Sequence, residues 1–266
     1  MIVKTTKISN FDGLELKSAT FRQKEFPDHI HDTFSFGIIT QGVEKIRVKE
    51  NDKIALNSSI IVFNQNETHS NRNFDNDNCS FLTCYISIDL INYIIKKYNL
   101  PKNINVNFEN IIYDSDLNYD LKLLHNPLIT NKIDLLENTL IRFLSCHTKT
   151  LLISKNCNVQ IVEDIKFYIN QNLFNKITIP NLAKKFNIDK FKLIKLFKSV
   201  TGLTPINYMI IQRLNYSKEL ISKKLPLVDV ALECGFYDQS CFTNYFTKYY
   251  GISPLNYCKS HFESTF

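Results

Sequence analysis

The sequence predicts an α+β chain of two domains, a β-rich front half and an all-helical back half. Three observations predict it. Short β-prone runs separated by turn residues fill roughly the first 110 positions. From about residue 111 the apolar residues change to three- and four-residue steps. The charge is lopsided as well. Residues 1–155 hold 18 Lys and Arg against 18 Asp and Glu, whereas residues 156–266 hold 14 against 8, the whole of the net +6. A length of 266 residues suits about two domains.

The front half reads as consecutive strands. Phe34–Thr40, Val43–Lys49, Lys53–Leu56 and Ile60–Phe63 are separated by Gln41-Gly42, Glu50-Asn51-Asp52 and Asn57–Ser59. Gly, Asn, Asp and Ser suit turns, so closely spaced strands predict a sandwich or barrel over residues 1–110. Residues 111–155 follow as an expected helical dimerisation segment and linker. Leu135, Leu136, Thr139, Leu140, Phe143 and Leu144 form one apolar stripe. That stripe can pack on its own barrel or on a second subunit. Thr148–Asn158 reads as a linker.

Several classes are excluded by composition. Only 6 Gly and 7 Pro rule out collagen-like and low-complexity chains. Asp89 and Asn92 interrupt the best apolar run, Ile86–Ile95, so no membrane helix is expected. The first residues lack an apolar signal core, and a cytoplasmic location is the expectation. Seven cysteines without a C-x-x-C pair predict reduced, buried thiols. No G-x-S-x-G or phosphate-binding glycine motif is present, no catalytic residue is assigned, and no enzyme is expected. Asp75 and Asp77 fall in Asn71–Asn78, read as an exposed acidic loop.

Residues 156–266 contain an internal repeat. Leu182–Asn187 aligns with Val230–Gly235. Past the turn, Asp189, Leu193, Phe197, Gly202, Pro205 and Tyr208 match Asp238, Phe242, Phe246, Gly251, Pro254 and Tyr257. A repeat of this length marks a repeated supersecondary unit. Thr178 caps a short helix with Pro180 in its first turn. Asn187 takes the left-handed turn, and Asp189 caps a second helix. This is a helix-turn-helix, over about 178–200 and again over about 227–250. Thr204-Pro205 starts a linker helix over about 205–223, and Ser253-Pro254 starts a last one. Ile210, Leu214 and Ser217 stripe the linker helix. Its ~18 residues span about 27 Å, comparable with the ~34 Å between successive major grooves on one face of DNA.

Projection at ~100° per residue separates the two faces of each second helix. Leu193, Leu196, Phe197 and Val200 form a core face in the first copy. Phe191, Ile194, Lys195 and Lys198 face away, with Lys190 and Lys192 beside them. Phe242, Tyr245, Phe246 and Tyr249 are the core face of the second. Gln239, Ser240, Thr243, Asn244 and Thr247 point outward. Apolar side chains can meet thymine methyls, Lys can meet guanine or phosphate, and Gln and Asn can pair with adenine. A basic domain carrying such faces predicts binding to double-stranded DNA.

The stretch Val159–Lys259 resembles the DNA-binding domain of the AraC/XylS family of bacterial transcription regulators. The carrying segments are LAKKFNIDKFKLIKLFKSVTGLTPINY, Arg213-Leu214, and ALECGFYDQSCFTNYFTKYYGISPLNY. The resemblance implies seven helices and promoter binding. It places base-reading at Phe191, Ile194 and Lys195, and at Gln239, Ser240, Thr243 and Asn244. The expected DNA-binding set is completed by Lys192, Lys198 and Arg213, the last at a position of phosphate contact or helix packing. Asn244 stands where the family often has Arg. Asn215 and Ser217 depart from small apolar residues.

The front half resembles the cupin-like β-barrel or jelly-roll sensor common in the same family. The carrying residues are His29-Ile30-His31, Gly42, and Ser58–His69. The resemblance implies effector binding near His29, His31 and His69. As locally satisfied rings, the same histidines would be structural. Ser35 and Phe36 stand where a metal-binding cupin adds Glu, Glu44 lies too far along, and no metal or cofactor is expected. His125, His147 and His261 show no partner pattern.

The expected function is a cytoplasmic, sequence-specific transcription regulator, an activator, that responds to a small-molecule effector. Its expected partners are promoter DNA, the effector, RNA polymerase and a second copy in a homodimer, with no membrane. Two alternatives stand beside it, a metal-dependent cupin enzyme with an appended helical domain and a ligand-independent DNA-binding module.

Overall fold

The computed structural model describes residues 2–7, 14–22, 25–74, 78–100, 106–148 and 157–262, without the side chains of 2–7, 157–158 and 260–262. The described residues divide into two compact units, one of those up to Glu25 and from His31 to Thr148, the other of Phe26–Ile30 and 157–262. Most of the expected linker, and Asp75 and Asp77, lie outside the described residues.

Up to residue 148 the chain forms β1 (Ile2–Lys7), β2 (Leu14–Arg22), β3 (Glu25–His29), β4 (Phe34–Gln41) and β5 (Glu44–Val48). It continues with β6 (Asn51–Ala55), β7 (Ile60–Phe63), β8 (His69–Asn73) and β9 (Asn78–Ile86). Then come α1 (Ile88–Lys97), β10 (Ile111–Ile112), α2 (Ser115–Leu124) and α3 (Lys132–Cys146). The strands form a six-stranded sheet, β1-β2-β9-β4-β7-β10, and a four-stranded sheet, β3-β8-β5-β6. The four expected strands are present, Ile60–Phe63 with the expected ends and the others with ends within two residues of them. Part of the expected acidic loop is strand instead, because Asn71–Asn73 pairs with Glu44–Ile46.

Alternation sorts the large sheet into two faces. Leu14, Leu16, Phe34, Phe36, Ile38, Ile60, Val62, Cys84 and Ile86 join one core with residues of α1, α2 and α3. Leu136, Leu140, Phe143 and Leu144 are buried in that same core, with Leu135 packed against it. Of the two partners the stripe could take, it packs on its own domain.

Two polar ties fix these helices. Glu137 is buried on α3 and accepts from Lys97 Nζ at 2.7 Å and from the Tyr98 hydroxyl at 2.5 Å. Burial pushes its carboxyl up, and the two hydrogen bonds with the Lys97 charge outweigh it, holding it below the usual 4.5. His125, which showed no partner pattern, bonds the Leu121 carbonyl at 2.9 Å and the Thr83 carbonyl at 3.2 Å. His147 pairs with Asp114 at 2.9 Å. The His261 side chain lies outside the described residues.

Gly42 closes the β4–β5 turn at φ 83°. A Cβ there would lie 2.6 Å from the Asn78 carbonyl oxygen. Gly42→Ala is therefore expected to destabilise the sheet domain by about 2 kcal/mol or more, from left-handed strain plus the clash. Urea denaturation measures it. A loss below about 0.5 kcal/mol would mean that the turn relaxes.

Residues 157–262 are helical. They form α4 (Cys157–Gln171), α5 (Ile179–Phe186), α6 (Lys190–Thr201), α7 (Pro205–Ser222), α8 (Leu227–Glu233), α9 (Gln239–Tyr250) and α10 (Pro254–Phe262). These are the seven expected helices. Each expected cap forms. Thr178 accepts from Asn181 N, Asp189 from Phe191 N and Lys192 N, Thr204 from Asn207 N, Asp238 from Cys241 N, and Ser253 from Asn256 N. Asn187 sits at φ 51° and Gly235 at φ 75°, ending α5 and following α8 in the left-handed region. The linker helix α7 is more than a striped spacer. Met209, Ile211, Leu214, Ser217, Leu220 and Ile221 are all buried, so it is a central core element of its domain.

Among the described side chains the cysteines are free thiols. Cys79, Cys84 and Cys234 are buried as expected, whereas Cys146 is exposed. No helix of the described residues is long and apolar enough to cross a membrane.

Candidate nucleic-acid interface and sensor interior

Helices α6 and α9 turn their apolar stripes into the domain. Leu193 and Phe197 on α6, and Phe242, Phe246 and Tyr249 on α9, are buried. That burial fixes each helix's rotation and turns the other face outward. Phe191 is 69% exposed, with Lys190 Nζ 4.9 Å from its ring centre. Lys192, Lys195 and Lys198 are exposed and Ile194 is half-buried. On α9, Gln239, Ser240 and Asn244 are exposed and Thr243 is half-buried. Both outward faces lie where the sequence puts them, each beginning at a helix N-terminus capped by Asp.

Of the two roles expected for Arg213, phosphate contact or helix packing, the structure shows packing. Arg213 is 8% exposed. Its Nε donates to the Leu173 carbonyl at 2.8 Å, Nη1 to Gly235 at 2.7 Å and Nη2 to Asn175 at 2.9 Å. A guanidinium enclosed by three carbonyls is a packing clamp. It ties α7 to the segment after α4 and to the turn of the second helix-turn-helix. Asn215, the noted departure, accepts from the Tyr250 hydroxyl at 2.6 Å and joins α7 to α9.

In the sheet domain the same alternation fills the space between the two sheets. Glu15 and Ser35 sit beside Tyr85 in register, on the face opposite Leu14, Phe34 and Ile86. Across from them Val48 and Ile46 pair with His69 and Asn71. Ile39, Ile46, Val48, Ile61 and Phe63 make this interior apolar in part. Glu15, Lys17, Glu44, His29, His31 and His69 are buried polar groups. The interior is thus mixed, and its charged members were not legible as a site. Glu15 and Lys17 alternate with Leu14 and Leu16, a pattern that reads equally as a solvent face.

Glu44, set aside as too distant to complete a metal site, is buried and accepts from Asn71 Nδ2 at 2.5 Å. Burial pushes its carboxyl up to about 7, against the lowering effect of that hydrogen bond. Burial, with Glu15 and Glu44, raises the Tyr85 hydroxyl also. Between 4.5 and about 7 the folded chain holds a proton that the unfolded chain has lost, so stability falls as pH rises through this window. Glu44→Gln is expected to flatten that slope and to stabilise the domain at pH 8 by about 3 kcal/mol. Thermal melts between pH 5 and 8 test it. Parallel slopes for both proteins would show that Glu44 ionises normally.

The three candidate effector histidines come together. His29 ends β3, His31 follows it by two residues, and His69 begins β8, the neighbouring strand. Each offers one ring nitrogen, and these atoms lie within 4.8 Å of one another.

Two family models match the chain in succession. An AraC-like ligand binding domain covers residues 13–140, and a helix-turn-helix domain covers residues 182–260. The chain belongs to the AraC family of transcription regulators. It is a DNA-binding regulator of AraC type with an N-terminal ligand-binding domain.

The transcriptional regulator YbfI of Bacillus subtilis is 24% identical over 226 residues, covering 82% of this chain and 81% of that protein. The lactose operon transcription activator of Staphylococcus xylosus is 34% identical over 105 residues, 38% of this chain and 37% of that protein. Of the regulator LumQ of Photobacterium leiognathi, 40% identical over 91 residues, the chain likewise spans only 37%. ToxT from Vibrio cholerae, solved with an unsaturated fatty acid bound, superposes with a TM-score of 0.64 at 15% identity. That match covers 96% of this chain and 98% of ToxT, and it bears on the fold. The two-sheet, seven-helix layout of this AraC-type chain is therefore that of a known regulator fold.

Proposed function

We propose that this chain is a promoter-binding activator whose α6 and α9 read bases and whose sheet interior holds a small polar effector. One observation carries the reading. Each helix buries its apolar stripe, and each presents outward the residues able to meet base edges and phosphates: Phe191, Lys192, Ile194, Lys195 and Lys198 on α6, and Gln239, Ser240, Thr243 and Asn244 on α9. With Arg213 buried, these nine residues are the proposed DNA-contacting set.

The effector is proposed to lie between the sheets, among Glu15, Lys17, Glu44, Tyr85 and the three histidines. ToxT is described with a fatty acid. A carboxylate ligand here would face Glu15 and Glu44, so a neutral or cationic polar molecule suits this interior better. An effector acts by binding one arrangement of the protein more tightly than another.

A cytoplasmic location, contact with RNA polymerase and a homodimer complete the proposal. The dimer is proposed to use the outer faces of α2 and α3, where Tyr119 is exposed and Arg142 pairs with Asp116 at 3.0 Å. The regulator reading leaves no role for an enzymatic reaction.

Fluorescence anisotropy on the DNA upstream of the chain's own gene tests the central claim. Binding that survives random competitor and ~150 mM salt supports it. Binding that collapses under both, with and without candidate effectors, would leave a non-specific basic module.

A further inference from the structure

The two helix-turn-helix copies align residue by residue, yet they differ in charge. Residues 178–201, the first copy, hold 6 lysines against Asp189 alone, a net +5. Residues 226–250, the second, hold Lys248 against Asp229, Glu233 and Asp238, a net −2. On α6, Lys190, Lys192, Lys195 and Lys198 stand where α9 carries Gln239, Cys241, Asn244 and Thr247. On α5, Lys184 and Lys185 stand where α8 carries Leu232 and Glu233. Every lysine of the first motif is thus neutral or acidic in its twin.

Folding alone does not account for that placement. Lys190 and Lys192 lie in the first turn of α6, where the helix dipole disfavours positive charge, and that turn holds no acidic residue. The Asp189 cap offsets this only in part. Lys192, Lys195 and Lys198 follow at three-residue steps, so like charges adjoin on the helix surface. All six lysines are exposed, and among the described residues none of them forms an ion pair. Cations set against local helix preference, and missing from the matching motif, mark a surface whose anion comes from outside the chain.

We propose that the first motif supplies nearly all of the sequence-independent hold on DNA phosphates and the second nearly none. The inference rests on the reading that α6 and α9 face DNA, and it adds which of them carries the electrostatic part. A lysine that neutralises a phosphate releases a counterion, and this release makes binding fall with salt. Gln239, Ser240, Thr243 and Asn244 meet DNA through neutral hydrogen bonds and release none. Asp229 and Glu233, exposed on α8, oppose any general attraction of the second motif to the backbone. On DNA of arbitrary sequence the chain is therefore held by α6, and α9 adds affinity only where its bases are present.

The test uses the full chain and two duplexes, one of random sequence and one carrying the DNA upstream of its own gene. Binding is followed by fluorescence anisotropy between about 50 and 200 mM salt. The double variant Lys192→Gln, Lys198→Gln is expected to lower the salt slope by about two on both duplexes. Lys248→Gln, which removes the second motif's own lysine, is expected to leave both slopes unchanged. Gln keeps the helix propensity of Lys and relieves the repulsion on α6, so the double variant should melt no lower than wild type. An unchanged slope on random DNA in the folded double variant would overturn the proposal. A drop of about one in Lys248→Gln would overturn it as well. So would wild-type binding to random DNA that salt does not weaken. The random duplex scores this division even where wild type shows no promoter preference, so the two readings fail separately.

Discussion

Arg213→Ala is expected to destabilise the helical domain by about 3 kcal/mol or more. The guanidinium donates to three carbonyls from two separate segments, at 2.7–2.9 Å. Hydrogen bonds to charged groups are worth roughly 1.5–3 kcal/mol, and the orphaned carbonyls add a desolvation cost. Gly235 shows how closely the clamp fits. A Cβ at that position would lie 3.0 Å from Arg213 Cζ and 3.2 Å from the Phe174 carbonyl oxygen. In a domain of this size such a loss lowers the melting midpoint by about 10–20 °C. Arg213→Lys should recover little, because an ammonium cannot span three acceptors set for a planar fork. Thermal melts and promoter titrations of the folded fraction separate the two roles. Full stability with weakened DNA binding would return Arg213 to the DNA-contacting set.

The double variant Lys195→Ala, Asn244→Ala is expected to lose promoter affinity by roughly 10- to 200-fold with stability unchanged. A bidentate amide–adenine pair contributes ~1–3 kcal/mol of discrimination, and one phosphate-contacting Lys lowers the salt slope by about one. Both side chains are exposed and pack against nothing in the core, so the fold should not register their removal. The single variants should differ in kind. Asn244→Ala should relax sequence preference alone, whereas Lys195→Ala, which removes a charge as well as a base-reading side chain, should also flatten the salt dependence. Wild-type affinity in the double variant would show that the outward faces of α6 and α9 are not the reading faces.

Local signals made the helical half readable. A cap, a left-handed turn residue and a 3.6-residue stripe are each set within a few positions, and they recur 48–49 residues later. Asn187, Asp189, Asp238 and Gly235 therefore act in the structure as their residue types require. Arg213 was harder. A cation on a helix reads as a surface group until the carbonyls of Leu173, Asn175 and Gly235 are known to surround it. Those partners lie 22–40 residues away.

The sheet half divides the same way. Strand alternation and turn residues determined that a two-sheet domain forms and roughly where its strands begin. They left open which face each alternating set would take, because a shift of one residue exchanges the faces. Tertiary pairing decided it. Helices α1, α2 and α3 share one core with Leu16, Phe36 and Val62, and this leaves Glu15, Lys17 and Tyr85 to face the second sheet. The same pairing brings His69 to His29 and His31 across about forty residues of sequence. By itself the sequence determined the class of regulator and the outward faces of α6 and α9, since helix caps and periodicity are local. Only the tertiary structure decided what lines the sensor interior and what Arg213 holds, since burial and convergence depend on strand register and on partners distant in the chain.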